Sequence, residues 1–213
     1  MKFLLLLGLL PVLGSFLVRK FMSSGILRKE GDAEVSLSGQ ELVERVLRKG
    51  KAESVSLQVK KRPFMVLGPG RLVLPPGLAE SKRARDVAEA GLLAGLVLMA
   101  RQQEKVVGWR TWAVKFGSAM PAFTTIVMFF AIAVRAITPG MAIGIIAASL
   151  GLATIFLWLT LPVERAAASA VAEMLEETPL VPRKSEGETL AKLVRASVWR
   201  KIVPGAVAWI GGK

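Results

Sequence analysis

The chain reads as a mainly α membrane protein, with transmembrane helices and a small cytoplasmic α+β domain made of a helix and a short two- or three-stranded sheet. Three observations predict this class. Hydrophobic residues make up 53% of the 213, yet the net charge is +13. Two apolar runs, 116–134 and 141–163, each have the length at which a helix crosses a bilayer. Ahead of them lies a basic stretch whose apolar residues follow first helical and then alternating periodicity, punctuated by Gly and Pro.

Residues 1–18 form the first element, an N-terminal membrane anchor with an apolar run over 3–18. Lys2 offers a thin basic n-region, and Val12 and Gly14 a weak cleavage site, so a signal peptide is the rival reading. Arg19 and Lys20 follow directly and disfavour export of what comes next. A retained anchor is therefore expected, with those two side chains snorkelling to the interface.

Residues 19–115 form the basic α+β domain. In "SGQELVERVLRKG", Ser38 is an N-cap with Glu41 three residues on, a capping box. Leu42, Val43, Val46 and Leu47 make one apolar face, and Gly50 stops the helix. In "VSLQVKKRPFMVLGPGRLVLPP", Val55, Leu57 and Val59 alternate with polar residues. Apolar runs at 64–67 and 71–74 flank a turn at 68–70, and Pro75-Pro76 ends the sheet. A helix over 87–100, "VAEAGLLAGLVLMA", is short for a span and carries Glu89, so it reads as buried or re-entrant.

Residues 116–163 form a transmembrane hairpin closed by "RAITPG", a tight Pro-Gly connection. Residues 164–201 return to the cytoplasm as an alanine-rich helix over 164–177, the linker "TPLVPRKSEGE", and a helix over 190–201. In the last, Leu190, Leu193, Val194 and Val198 share a face while Lys192, Arg195, Arg200 and Lys201 lie elsewhere, as in a basic interfacial helix. Residues 202–213 are a membrane-associated segment that dips into the bilayer or packs on the hairpin.

Charge sets the orientation. Of 29 Lys and Arg, 19 fall in 19–115 and 7 in 164–201, leaving Lys2, Arg135 and Lys213. The positive-inside rule then places both basic regions in the cytoplasm of a multi-pass protein of the cell (inner) membrane, with the hairpin tip and N-terminus outside. Arg19, Lys20, Trp109, Trp112, Trp158 and Trp199 are the expected membrane-interface residues, ordinary packing being the other reading for each Trp. The cations flank apolar spans and show no recognition motif, so the expected partners are anionic headgroups and other membrane-protein subunits, with no nucleic acid.

The chain has no His, Cys or Tyr. That removes disulfides, thiolate metal sites, cysteine nucleophiles and every triad or zinc site built on imidazole. Ser-Lys chemistry needs no His, but no Ser and Lys are placed in the chain to suggest convergence.

The order of "LSGQELVERVL" at 37–47, "LPP" at 74–76 and "LPVERAAASAVAEMLEE" at 161–177 resembles the YugP-type membrane-bound neutral zinc metallopeptidases over nearly the whole chain. That family's pattern carries a His-Glu-x-Gly-His helix between the last two. Counted without gaps from Leu74, the motif falls on "LLAGL". Gly95 matches its glycine, but both histidine positions are leucine, Leu92 and Leu96, and the glutamate position is Leu93. Two His at i and i+4 clamp one zinc, and the neighbouring Glu activates its water. Leucine does neither. Glu164 resembles the third ligand, and one carboxylate does not hold a catalytic zinc. The rival view is that "LLAGL" is simply a core helix.

Glu164 itself has two readings. It is a surface carboxylate in the first turn of a helix, or it faces the leucines of the former pocket and needs an arginine such as Arg85, Arg101 or Arg165. The resemblance, with its motif erased, implies a catalytically inactive zinc-metallopeptidase-like integral membrane protein acting as a scaffold, adaptor or accessory subunit. It implies no enzyme activity, cofactor or bound metal. The alternatives are a family member with retained or unconventional peptidase activity, and an anionic-lipid-binding membrane module.

Overall fold

The computed structural model describes residues 2–22, 24–61 and 67–205. It is mostly helical, with a small three-stranded sheet. The chain divides into two compact units, one made of 1–21, 112–161 and 200–213, the other of 22–111 and 162–199. The first three residues of the expected strand at 64–67 and most of the segment 202–213 lie outside the described residues.

Among the described residues, three helices are long and apolar enough to cross a membrane: α1 (Lys2–Met22), α6 (Glu104–Ala133) and α7 (Pro139–Glu177). Phe3 and Phe21 on α1, Phe123, Phe129 and Phe130 on α6, and Val134 just past its end stand more than 60% exposed. Soluble monomers rarely expose apolar surface on that scale. In the first unit α1 lies directly on α7. A Cβ on Gly8 would strike the Ala147 carbonyl, and one on Gly151 would come within 2.5 Å of the Leu7 carbonyl. The Trp158 indole N–H donates to the buried Ser15 hydroxyl at 2.7 Å. On α6, Trp112 and Phe116 stack at 5.1 Å, and both meet the edge of Phe156.

The turn between α6 and α7 differs from the expected Pro-Gly tip. Arg135 takes the left-handed conformation at φ 57°, and the Ala136 amide closes back on the Ala131 carbonyl. Pro139 and Gly140 instead open α7, whose first turn is capped by the Thr138 hydroxyl on the Met141 amide. The alanine-rich helix expected from residue 164 is not separate. α7 runs unbroken through Pro162 to Glu177, losing one rung of its ladder at the proline.

In the second unit, α2 (Ser24–Glu30) leads to α3 (Gly39–Lys49), whose capping box is formed as expected: Ser38 caps the Glu41 amide and Glu41 caps the Ser38 amide. Leu42, Val43, Val46 and Leu47 are buried. Gly50 ends α3 with φ −78°, and the left-handed residue is Lys51. What Gly50 supplies is room, since a Cβ there would sit 2.5 Å from the Leu98 side chain.

The sheet is β1 (Ser56–Val59), β3 (Arg71–Leu74) and β2 (Leu67–Gly68) in that order, β3 central. β1 pairs parallel with Leu57 opposite Leu72, and β2 antiparallel with Leu67 opposite Leu72. Central position explains why Leu72, Val73 and Leu74 are all buried while β1 is only partly covered. A short helix α4 (Pro76–Ala79) leads to α5 (Ala84–Gln102). α8 (Lys184–Ser197) starts within the expected linker and continues as a 3-10 turn, Val198–Ile202. The apolar face read as interfacial is covered by protein instead: Leu190, Leu193 and Val194 are fully buried, and Val194 reaches Gly91 of α5.

Candidate functional site

α5 is the central helix of its unit. Every residue from Gly91 to Val97 is buried, so "LLAGL" is a helix of the core, with Leu92, Leu93 and Leu96 inaccessible. Its two glycines set how closely the C-terminal part of α7 approaches. A Cβ on Gly95 would lie 2.6 Å from the Ala167 carbonyl and 2.7 Å from Val171, and one on Gly91 3.6 Å from Val171. Positions descend on α5 as they rise on α7, so the helices run antiparallel. Glu164 is three residues before Ala167 and so lies on the same face, about one turn along.

Glu164 is 1% exposed, which excludes the surface reading. Its cation is Arg110, itself buried. The Arg110 Nε–H donates to Glu164 Oε1 at 2.7 Å, and the Nη2–H donates to the same oxygen. Oε2 is buried without a hydrogen-bond partner. The bend at Gln103, where α5 ends and α6 begins, lets α6 return Arg110 to α7.

None of the three arginines considered from the sequence fills this role. Arg85 pairs with Asp32 at 3.2 Å, Arg101 donates to the Lys51 carbonyl, and Arg165 lies 4.3 Å above the Trp199 ring. Arg110 was missed because 54 residues separate the partners; its only local signal is a lone cation inside the otherwise apolar "VVGWRTWAV". Of the expected interface residues, Lys20, Trp109, Trp112 and Trp158 are exposed, and Arg19 and Trp199 half-buried.

The chemistry open to this arrangement is narrow. A guanidinium holds the single carboxylate through one of its oxygens. Among the described residues no three acidic side chains converge to hold a metal ion.

Comparison with protein-family models, curated proteins and solved structures gave no match.

Proposed function

We propose that this chain is a catalytically inactive, zinc-metallopeptidase-like integral membrane protein that works by binding, as a scaffold, adaptor or accessory subunit of a membrane complex. The observation that carries the reading is Glu164, a buried carboxylate neutralised by Arg110 beside a helix whose candidate ligand positions are Leu92, Leu93 and Leu96. A guanidinium occupies the electrostatic role a metal would have at that carboxylate. The framework persists around it, with small residues holding α5 on α7.

The three apolar helices cross the cell membrane, α1 and α7 with one polarity and α6 with the other. The basic second unit faces the cytoplasm. Support comes from the count of cations on either side of the spans and from the packing of Ser15 on Trp158.

Two measurements test this. Elemental analysis of the protein purified without chelator is expected to find no stoichiometric zinc; one zinc per chain ends the pseudo-peptidase reading. Affinity capture from gently solubilised membranes is expected to bring down a defined membrane-protein partner. A partner-free monomer contradicts the scaffold role.

A further inference from the structure

β1 is an edge strand with one open side. The sheet order sets only β3 beside it. The Ser56 and Lys60 amides donate to the Gly70 and Leu74 carbonyls on the β3 side. Backbone groups alternate in direction along a strand, so the N–H and C=O of Leu57 and Val59 point away from β3. Among the described residues nothing bonds to them. Natural edges are commonly blunted by a charge or a proline within the strand. β1 reads Ser-Leu-Gln-Val and has neither.

The space beside this edge has room for a side chain. A depression of about 240 Å³ opens between the end of α3 and the start of β1. Leu47, Ala52, Val55 and Leu57 line it, with Glu44, Arg48 and Glu53 also in its walls. Val59 lies on the same face of β1 as Leu57 and is exposed. Glu53, Lys60 and Lys61 make no ion pair among the described residues. The open edge thus has a free acid ahead of it and two free cations behind it. A complementary strand carries those charges in the reverse order, and β1 itself does so when run antiparallel.

We propose that the outer edge of β1 is an interface for a second copy of this chain, the two β1 strands pairing antiparallel about a twofold axis. With Leu57 of each copy opposite Val59 of the other, their outward N–H and C=O groups are all satisfied by four bonds, two on either side of the axis. Opposite residues project to one face, so each Val59 lies beside the other copy's Leu57, at the mouth of its depression. Lys61 follows on that face and comes opposite Val55, next to Glu53 of the other copy. Parallel pairing would instead set Lys60 and Lys61 against themselves. Two three-stranded sheets become one. The inference concerns the second unit alone and rests on neither the membrane spans nor the peptidase ancestry.

Sedimentation of the full chain in density-matched mild detergent is expected to find two copies per particle, separating on dilution. Val59→Pro removes an N–H that β3 does not use, so the ladder within the chain survives. It is expected to weaken self-association about tenfold, with the circular dichroism spectrum unchanged. Glu53→Lys is expected to weaken it about threefold, and Glu53→Lys with Lys61→Glu to restore it. The two Gln58 residues face each other across the axis, with Cα atoms about 4.5 Å apart. In this cysteine-free chain, Gln58→Cys is therefore expected to link two copies by a disulfide on mild oxidation. Glu80→Cys, exposed beyond α4, is expected not to. A monomer at every concentration, a dimer unmoved by Val59→Pro, or linking no faster at 58 than at 80 each overturn the inference. So does a Gln58→Cys chain that links to a different protein in place of the second copy.

Discussion

The pair that defines the candidate site is held by opposing demands. A buried carboxylate and a buried guanidinium each lose hydration, and here only Oε1 of Glu164 is repaid with hydrogen bonds. Breaking the pair leaves a charge stranded. Arg110→Met is thus expected to destabilise the protein by about 3–5 kcal/mol, while Arg110→Met with Glu164→Leu recovers most of that loss. Unfolding midpoints of the three proteins in mild detergent decide it; an additive double variant would refute the coupling. A second residue-scale expectation concerns acid. The Ser36 hydroxyl, at 2.6 Å, and its amide hold the Glu186 carboxyl below the usual carboxylate range. A depressed carboxylate contributes stability that is complete above its unfolded pKa, about 4.3, and is lost as pH falls through its lower folded value. Wild type is expected to lose more stability than Ser36→Ala between neutral pH and pH of about 3, by roughly 1 kcal/mol. Parallel acid titrations of the two by circular dichroism measure the difference.

Helix contacts in both units depend on glycines at close approaches. Gly95→Ala would push a methyl against the Ala167 carbonyl and Val171, and α5 cannot retreat without disturbing its contacts with α3 and α8. The expected cost is about 1–3 kcal/mol. Gly14→Ala, on α1 with nothing within 4 Å, is the matched control and is expected to be neutral or slightly stabilising. Thermal midpoints of both variants test whether backbone approach, rather than helix propensity, is what each glycine provides. Much at this scale was readable in advance. The capping box of α3 is a local pattern, and its partners lie three residues apart. The buried helix around "LLAGL", read as buried or re-entrant, followed from its length and from Glu89 near its start. The continuity of α7 through Pro162 was not readable, because a proline removes one hydrogen bond and leaves to the surroundings whether the helix ends or bends. The covering of α8 by α5 was likewise hidden, since a basic amphipathic helix looks the same whether lipid or protein meets its apolar face.

At the scale of the molecule, the proposed topology makes a clean prediction because the chain has no cysteine of its own. A single Ala136→Cys, in the α6–α7 turn, is expected to react with an impermeant maleimide on intact cells. Ser54→Cys, just before β1, is expected to react only after permeabilisation. The reverse pattern would invert the orientation, and labelling of both on intact cells would deny that the spans separate them.

Composition alone determined the chemistry this protein lacks, since no folding creates an imidazole or a thiolate from a chain without His or Cys. It also determined which segments suit a bilayer, because transfer of apolar side chains from water sums along a helix residue by residue. Tertiary structure decided that Arg110, and not Arg85, Arg101 or Arg165, meets Glu164, and that Ser15 meets Trp158. Those pairings join residues far apart in the chain, and they depend on the register at which helices seat on one another. That register comes from glycine-sized contacts too small to leave a periodic mark.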